Sequence, residues 1–360
     1  MITISLCMIV KNEEKTLDTC LASVKEVVDE LIIVDTGSTD QTLCLAKGYT
    51  DHVHTFRWIN DFSAARNFAF QKATMDFILT MDADDFFSSE DQDKLKQLKM
   101  TLPPSIDAVT MKCLAAFDES GHVLIDLRQV RLVKRNKQFK WHGAVHEYLE
   151  VDGNVFHSDI SVTHKRSHQN MDRNLLIYED RLKQGISFTP RDLFYYANEL
   201  FDHGDYQKAI TTYLDFLKID NAWLEDVRTA YGRIADCYAQ LTDIDQAIHY
   251  SIKSVQLGSP RPEDGCRLGF FFLQKGAPEA AISCFKLATL VPEVDYGGVI
   301  HHACSTWIPH LQLCICYSRQ GEINKAYEHI MIAHSFCPNH ALIAKNKSIL
   351  EAYLKKNSSN

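Results

Sequence analysis

The chain has 360 residues, 46% apolar and 24% charged, which is long enough for two domains with separate cores. Its formal net charge of −9 argues against nucleic acid or an anionic membrane as a main partner, because neither attracts an acidic surface. No apolar run approaches the roughly 20 residues that span a bilayer, so a soluble protein with no transmembrane segment is expected.

Residues 2–10 (ITISLCMIV) read as a first strand. They carry no basic leader and no small-residue cleavage site, and they run directly into Lys11-Asn12-Glu13-Glu14. Eleven cysteines, an odd number without an export signal, point to a reducing cytoplasm where most are small buried hydrophobes. His301, His302, Cys304, His310, Cys314 and Cys316 lie close in sequence but lack paired Cys-x-x-Cys spacing, so packing and surface roles are expected there rather than zinc.

In residues 16–28, Leu17, Cys20, Leu21, Val24, Val27 and Val28 give a helix one apolar face. A second buried strand, 31–34, ends in Asp35-Thr36-Gly37-Ser38-Thr39-Asp40. Gly37 there permits a tight turn, and Ser38, Thr39 or Asp40 can cap a helix that Gly48 closes. Such strand, loop, helix units build a mostly parallel sheet, whose ligands sit outside the carboxyl ends of the strands. Asp61 or Ser63 starts the next helix, and Arg66 falls in an early turn, facing outward or toward the sheet edge, as a phosphate partner.

The strand 77–80 then runs into Asp82, Asp84 and Asp85. Three carboxylates within four positions after a buried strand call for a counter-charge. Hard oxygen donors one residue apart, with no sulfur or imidazole in the motif, suit Mg²⁺ or Mn²⁺ clamped against a diphosphate. Ser88 or Ser89 caps a helix that ends before Pro103-Pro104, residues 108–114 resume the sheet, and 130–135 add a strand. That strand leads into FKWHGAVHE (139–147), dense in groups that stack, donate or titrate.

From about Asp192 the pattern is helical only. GDYQKA (204–209), TDIDQA (242–247), GAPEA (276–280) and GEINKA (321–326) repeat one turn followed by an alanine. The alanines are spaced 38, 33 and 46 residues apart, around the 34-residue tetratricopeptide period, with an insertion near 294–306. Helix pairs of this kind bury their faces only by stacking, so an α-solenoid with a concave groove is expected.

A metal-bound diphosphate at a sheet edge suits a transferase that uses a nucleotide-activated donor. The metal neutralises charge developing on the leaving group, Arg66 assists, and a base helps the nucleophile.

The residues that say most are CMIVKNEE (7–14), IVDTGSTD (33–40), DFSAARN (61–67), Asp82-Ala83-Asp84 and HGAVHE (142–147). In this order, across residues 1–165, they resemble the family 2 glycosyltransferases, which have the GT-A fold and invert the anomeric centre. With the repeats attached, the chain is similar to the bacteriocin S-glycosyltransferases, which modify peptide cysteines. The resemblance implies that Asp35 reads the nucleobase of a UDP-sugar, with the loop around Val10 and Asn12 beside it. Arg66 would contact the diphosphate. Asp82 would touch the ribose, or the metal through water, while Asp84 would be the direct metal ligand and Asp85 would support either. The family often has a second Asp where Thr36 stands. Glu147 would take the acceptor's proton with His146 as neighbour or alternative, Trp141 would stack on a sugar face, and His164 would ligate the metal or hydrogen-bond the diphosphate.

The expected architecture is therefore an α/β GT-A domain over 1–170, a linker helix over 171–191 and tetratricopeptide-like repeats over 192–355. The expected partners are a nucleotide-sugar donor and a peptide or protein acceptor held partly by the repeats, with self-association of repeat surfaces open. Two rivals stand beside this: a transferase of cell-surface polysaccharide or lipopolysaccharide, and a repeat scaffold whose first domain has lost catalysis.

Overall fold

The structure, a computed structural model, describes every residue except 120, 166–170, 293, 295–296 and 359–360. The chain divides into two compact units, Met1–Ala116 with Asp126–Ile186 and Phe117–Ile125 with Ser187–Asn360. The expected boundary at residue 170 falls outside the described residues.

The first unit is a mixed α/β sheet domain. Its elements are β1 (Ile4–Val10), α1 (Leu17–Val24), β2 (Glu30–Asp35), α2 (Thr42–Tyr49), β3 (Val53–Thr55), α3 (Phe62–Phe70), β4 (Phe77–Thr80) and β5 (Asp85–Phe86). They continue through α4 (Ser89–Thr101), β6 (Ala108–Phe117), β7 (Val123–Lys134), β8 (Lys140–His142), β9 (Tyr148–Glu150), β10 (Val155–His164) and α5 (Met171–Lys183). The main sheet runs β3-β2-β1-β4-β7-β6-β10-β5, and β8 pairs with β9 in a small second sheet. β1 lies parallel between β2 and β4, which explains its unbroken apolar run: a central parallel strand is covered on both faces.

One face is packed by side chains of α1, α2 and α4, including Leu17, Leu21, Ala46 and Leu95, and the other by α3 through Ala69. Asp61 caps α3 by accepting from the Ala64 amide at 2.9 Å, a contact of about 1 kcal/mol. Gly48 lies inside α2, not beyond it. That helix ends at Tyr49, and Thr50 turns to extended backbone. Strands β3, β8 and β9 carry too few residues for a period to show, and β7 starts seven residues before the expected 130.

The second unit holds paired helices: α6 (Pro190–Asp202) with α7 (Tyr206–Phe216), α8 (Leu224–Gln240) with α9 (Ile244–Gln256), and α10 (Pro262–Gln274) with α11 (Pro278–Leu290). After β11 (Val299–His301) and α12 (His302–Ser305), α13 (Trp307–Arg319) pairs with α14 (Ile323–Phe336), and α15 (Ala341–Ser358) follows. Each pair turns on a residue of positive φ, namely Gly204 at 78°, Thr242 at 64°, Gly276 at 75° and Gly321 at 77°. The residue five positions on is a fully buried alanine: Ala209, Ala247, Ala281 and Ala326. The third repeat therefore turns about Ala281 and not Ala280, which is half-buried, and the spacings become 38, 34 and 45 residues. A methyl is all that fits where the two helices of a pair approach. Cys314 and Cys316 are core residues of α13, and no described helix is long and apolar enough to cross a membrane.

Candidate active site

Three strand ends meet at the carboxyl edge of the first sheet. Val10 pairs with Asp35 in register, and β4 delivers the turn that holds Asp82, Asp84 and Asp85. The two-residue strand β5 pairs antiparallel with the end of β10, which sets His164 opposite Asp85. Sequence spacing alone gives no sign of this meeting, since the two residues are 79 positions apart.

Asp85 is the fixed member of the acidic turn. Its side chain has no exposed surface, and its oxygens take Arg131 Nη1 at 2.9 Å, the Asp82 amide at 2.9 Å and His164 Nδ1 at 3.0 Å. Arg131 was not among the expected site residues. Its signal was present, however, as one charge within the apolar run of β7, beside Leu132 and Val133. His164 keeps its proton more readily than a free imidazole, first because Asp85 accepts from it, against the opposing effect of burial, and then through the charge of Asp84.

Asp84 has weaker support. His164 Nδ1 lies 3.4 Å away, and burial, followed by the charges of Asp82 and Asp85, outweighs that partner and raises the carboxyl to about 6. A carboxylate in this condition lacks a cation. The ligand atoms of Asp84, Asp85 and His164 all lie within 4.8 Å of one another, the cluster among the described residues that fits a metal ion. The two carboxylate oxygens suit Mn²⁺ or Mg²⁺, and the imidazole beside them is a donor that the acidic motif by itself does not contain.

Asp82 stands outside that cluster. Its Oδ1 is ion-paired with Arg66 Nη2 at 2.7 Å. Burial works against its charge, but Arg66 and then Arg131 hold the carboxyl well below the usual range. Arg66 faces inward rather than outward: its Nε also donates to Glu147 Oε1 at 2.5 Å, and its guanidinium lies 4.7 Å from the Trp141 ring centre.

The loop bearing Glu147 is brought to α3 by three bonds. The amide of Phe62 donates to Ala144 O at 2.9 Å, and the Asn67 side chain bridges both peptide atoms of Trp141, at 2.9 Å each. Arg66 and Asn67 of DFSAARN thus hold the loop that follows β8. One face of Trp141 carries Arg66 and is not open to a sugar, and the ring packs T-shaped with Phe70. His146 sits in the same loop with a left-handed φ of 49°.

Asp35 is 2% exposed and accepts from the amides of Gly37 at 3.0 Å and Ser38 at 3.1 Å, so its carboxylate shapes its own turn. Asn12, at φ 58°, accepts from the Thr39 amide at 2.8 Å, and Val10 O accepts from Thr36. These contacts join the loops after β1 and β2 into one rim. Thr36, where a second Asp is frequent in the resembling family, is spent on that join.

Comparison with known proteins bears on this arrangement. Residues 5–146 match the family described as Glycosyl transferase family 2, and residues 229–257 match Tetratricopeptide repeat. The first unit thus carries a family 2 glycosyltransferase domain, and the second carries a tetratricopeptide repeat. The chain is 31% identical over 230 residues to the SPbeta prophage-derived glycosyltransferase SunS of Bacillus subtilis, covering 60% of this chain and 52% of that protein. It is 38% identical over 151 residues to a TPR repeat-containing protein of Synechococcus elongatus, covering 42% and 36%. Among solved structures, MamA superposes with a TM-score of 0.38 at 16% identity, over 46% of this chain and 88% of that one. The chain spans about half the length, or less, of these two curated relatives.

Proposed function

We propose that the chain is a metal-dependent, inverting glycosyltransferase that moves a sugar from a nucleotide diphosphate sugar, with UDP-sugar the expected donor, to a peptide or protein side chain. The carrying observation is Asp84, a carboxylate short of a cation within reach of Asp85 and His164, in a domain matched to family 2 glycosyltransferases.

Asp84 and His164 would hold the metal, with Asp85 fixed behind them by Arg131. A bound Mg²⁺ or Mn²⁺ supplies positive charge against the diphosphate as it leaves. The nucleoside end would rest on the rim formed by Val10, Asn12 and Asp35, whose loops are joined by hydrogen bonds. Glu147 is oriented by Arg66 through one oxygen, which leaves its second oxygen to take the proton from the attacking acceptor. Inversion requires that this proton be taken on the face opposite the departing diphosphate. The repeats of the second unit would supply the groove for a peptide or protein acceptor.

The test is a panel of nucleotide sugars, with Mn²⁺ or with chelator, read by donor consumption and by thermal shift. No donor consumed, and no shift with uridine diphosphate plus metal, overturns the reading. Candidate peptides, each with Cys replaced by Ser in parallel and read by mass spectrometry, then identify the accepting atom. Modification of lipid-linked glycans alone overturns the peptide part.

A further inference from the structure

Arg66 is held in place on several sides. Two of its nitrogens are spent on Asp82 and Glu147, its face lies on Trp141, and its side chain is 12% exposed. Turning it toward a ligand would strand two carboxylates, a cost larger than one new ion pair returns. A departing diphosphate nevertheless needs cationic donors aimed at the oxygens where charge develops.

A cavity of about 310 Å³ opens on the α1 side of the acidic turn. Asp84 and Asp85 line it together with Lys15, Thr16, Thr19 and Lys165. The backbone of Lys165 is fixed to the turn itself, its amide donating to Asp84 O at 2.9 Å. Both lysines are exposed, and neither ammonium has an ion-pair partner among the described residues. Thr16 is already engaged, donating to Glu13 at 2.8 Å. Two unpaired cations lining one cavity with the carboxylates of a cluster that fits a metal ion make a place for a group that is both a polyanion and a metal ligand. A phosphate oxygen satisfies both.

We propose that Lys15 and Lys165 bind the β-phosphate of the donor's diphosphate from the α1 side of Asp84, while Arg66 remains a positioning residue for Glu147. The inference rests on the donor reading above and assigns its cationic clamp. The cavity is at the small end for ligand sites, with room for a diphosphate but not for a whole nucleotide sugar, so the nucleoside and the sugar extend outside it. The clamp acts on a phosphate that a nucleoside monophosphate lacks.

The experiment is titration calorimetry of the full chain with uridine diphosphate and uridine monophosphate, in the presence of Mn²⁺, on wild type, Lys15→Gln, Lys165→Gln and the double variant. Each single change is expected to weaken diphosphate binding about tenfold, as a charge-assisted hydrogen bond at an exposed site would, and to leave monophosphate binding unchanged. Lys15→Arg and Lys165→Arg should restore most of the loss. Unliganded melting temperatures should match wild type, because both side chains are exposed. A double variant that binds the diphosphate as tightly as wild type, or one that loses both nucleotides equally, overturns the clamp while leaving the donor reading intact. Wild type that binds no nucleoside diphosphate overturns the donor reading and the clamp with it.

Discussion

In the helical unit the carboxylate of Asp264, 4% exposed, is met from several sides. Arg228 Nη2 and the Arg261 amide reach one oxygen at 3.0 and 3.1 Å, while Ser254 and Arg267 reach the other at 3.2 and 3.8 Å. At the carboxyl edge of the sheet, Asp82 and Asp85 have their arginines, but Asp84 has, among the described residues, only an imidazole already shared with Asp85. Both regions bury acid, yet only one closes the charge with its own side chains. A satisfied carboxylate ties helices together, whereas an unsatisfied one stores a cost that a ligand can relieve.

The contrast is broken most directly at Asp84. Asp84→Asn should lower sugar transfer by roughly two orders of magnitude or more, since a catalytic metal stabilises transition-state charge by several kcal/mol. It should also leave the melting temperature of the unliganded protein unchanged or slightly raised. Full activity in Asp84→Asn, in a donor-consumption assay with Mn²⁺, would remove the metal assignment.

Asp264→Ala should do the reverse. It strands Arg228 in the repeats, while Arg267 keeps Asp236, and should cost about 3 kcal/mol by denaturant unfolding, with uridine diphosphate binding retained. Arg66→Ala sits between these two behaviours. It releases Glu147, and also Asp82, whose side chain is 40% exposed, so solvent screening trims the loss to about 2 kcal/mol. Under the lysine clamp its effect appears in turnover more than in diphosphate affinity.

Smaller effects sharpen the description of the repeats. Ala281→Leu should cost about 1.5 kcal/mol by overpacking the third helix pair, while Ala280→Leu on the half-buried side should be close to neutral in thermal unfolding. The mildest prediction concerns His310, whose Nδ1 lies 2.9 Å from that of His329. Burial first, then the charge of His329, lowers it from 6.5 to about 4. Below 6.5 the unfolded chain takes a proton that the folded one refuses, so its contribution is intact above 6.5 and is lost as pH falls toward 4. His310→Gln should flatten that part of the stability profile; an unchanged profile would remove the pair as its source.

Several features were legible because they are local. An apolar strand followed by Asp82, Asp84 and Asp85 states its need for charge within nine residues, and the start of α3 is announced by Asp61 and Ser63, of which Asp61 is the cap. The repeats show through turn chemistry, although two adjacent alanines, Ala280 and Ala281, leave the register of the third undecided until one of them is seen to be buried. Resemblance to a family supplied His164 and Glu147, which local pattern alone does not single out.

The sequence by itself determined the order of the units, the apolar strands that end at one edge, and the residue types from which a metal and phosphate site is proposed, since these follow from short-range periodicity and charge. Only the tertiary structure decided which charge meets which. Arg66 and Glu147 are 81 residues apart, and whether that arginine faces a ligand or a carboxylate depends on the docking of the loop after β8 onto α3. Such pairings are fixed by packing between distant segments, and one-dimensional spacing carries no record of them.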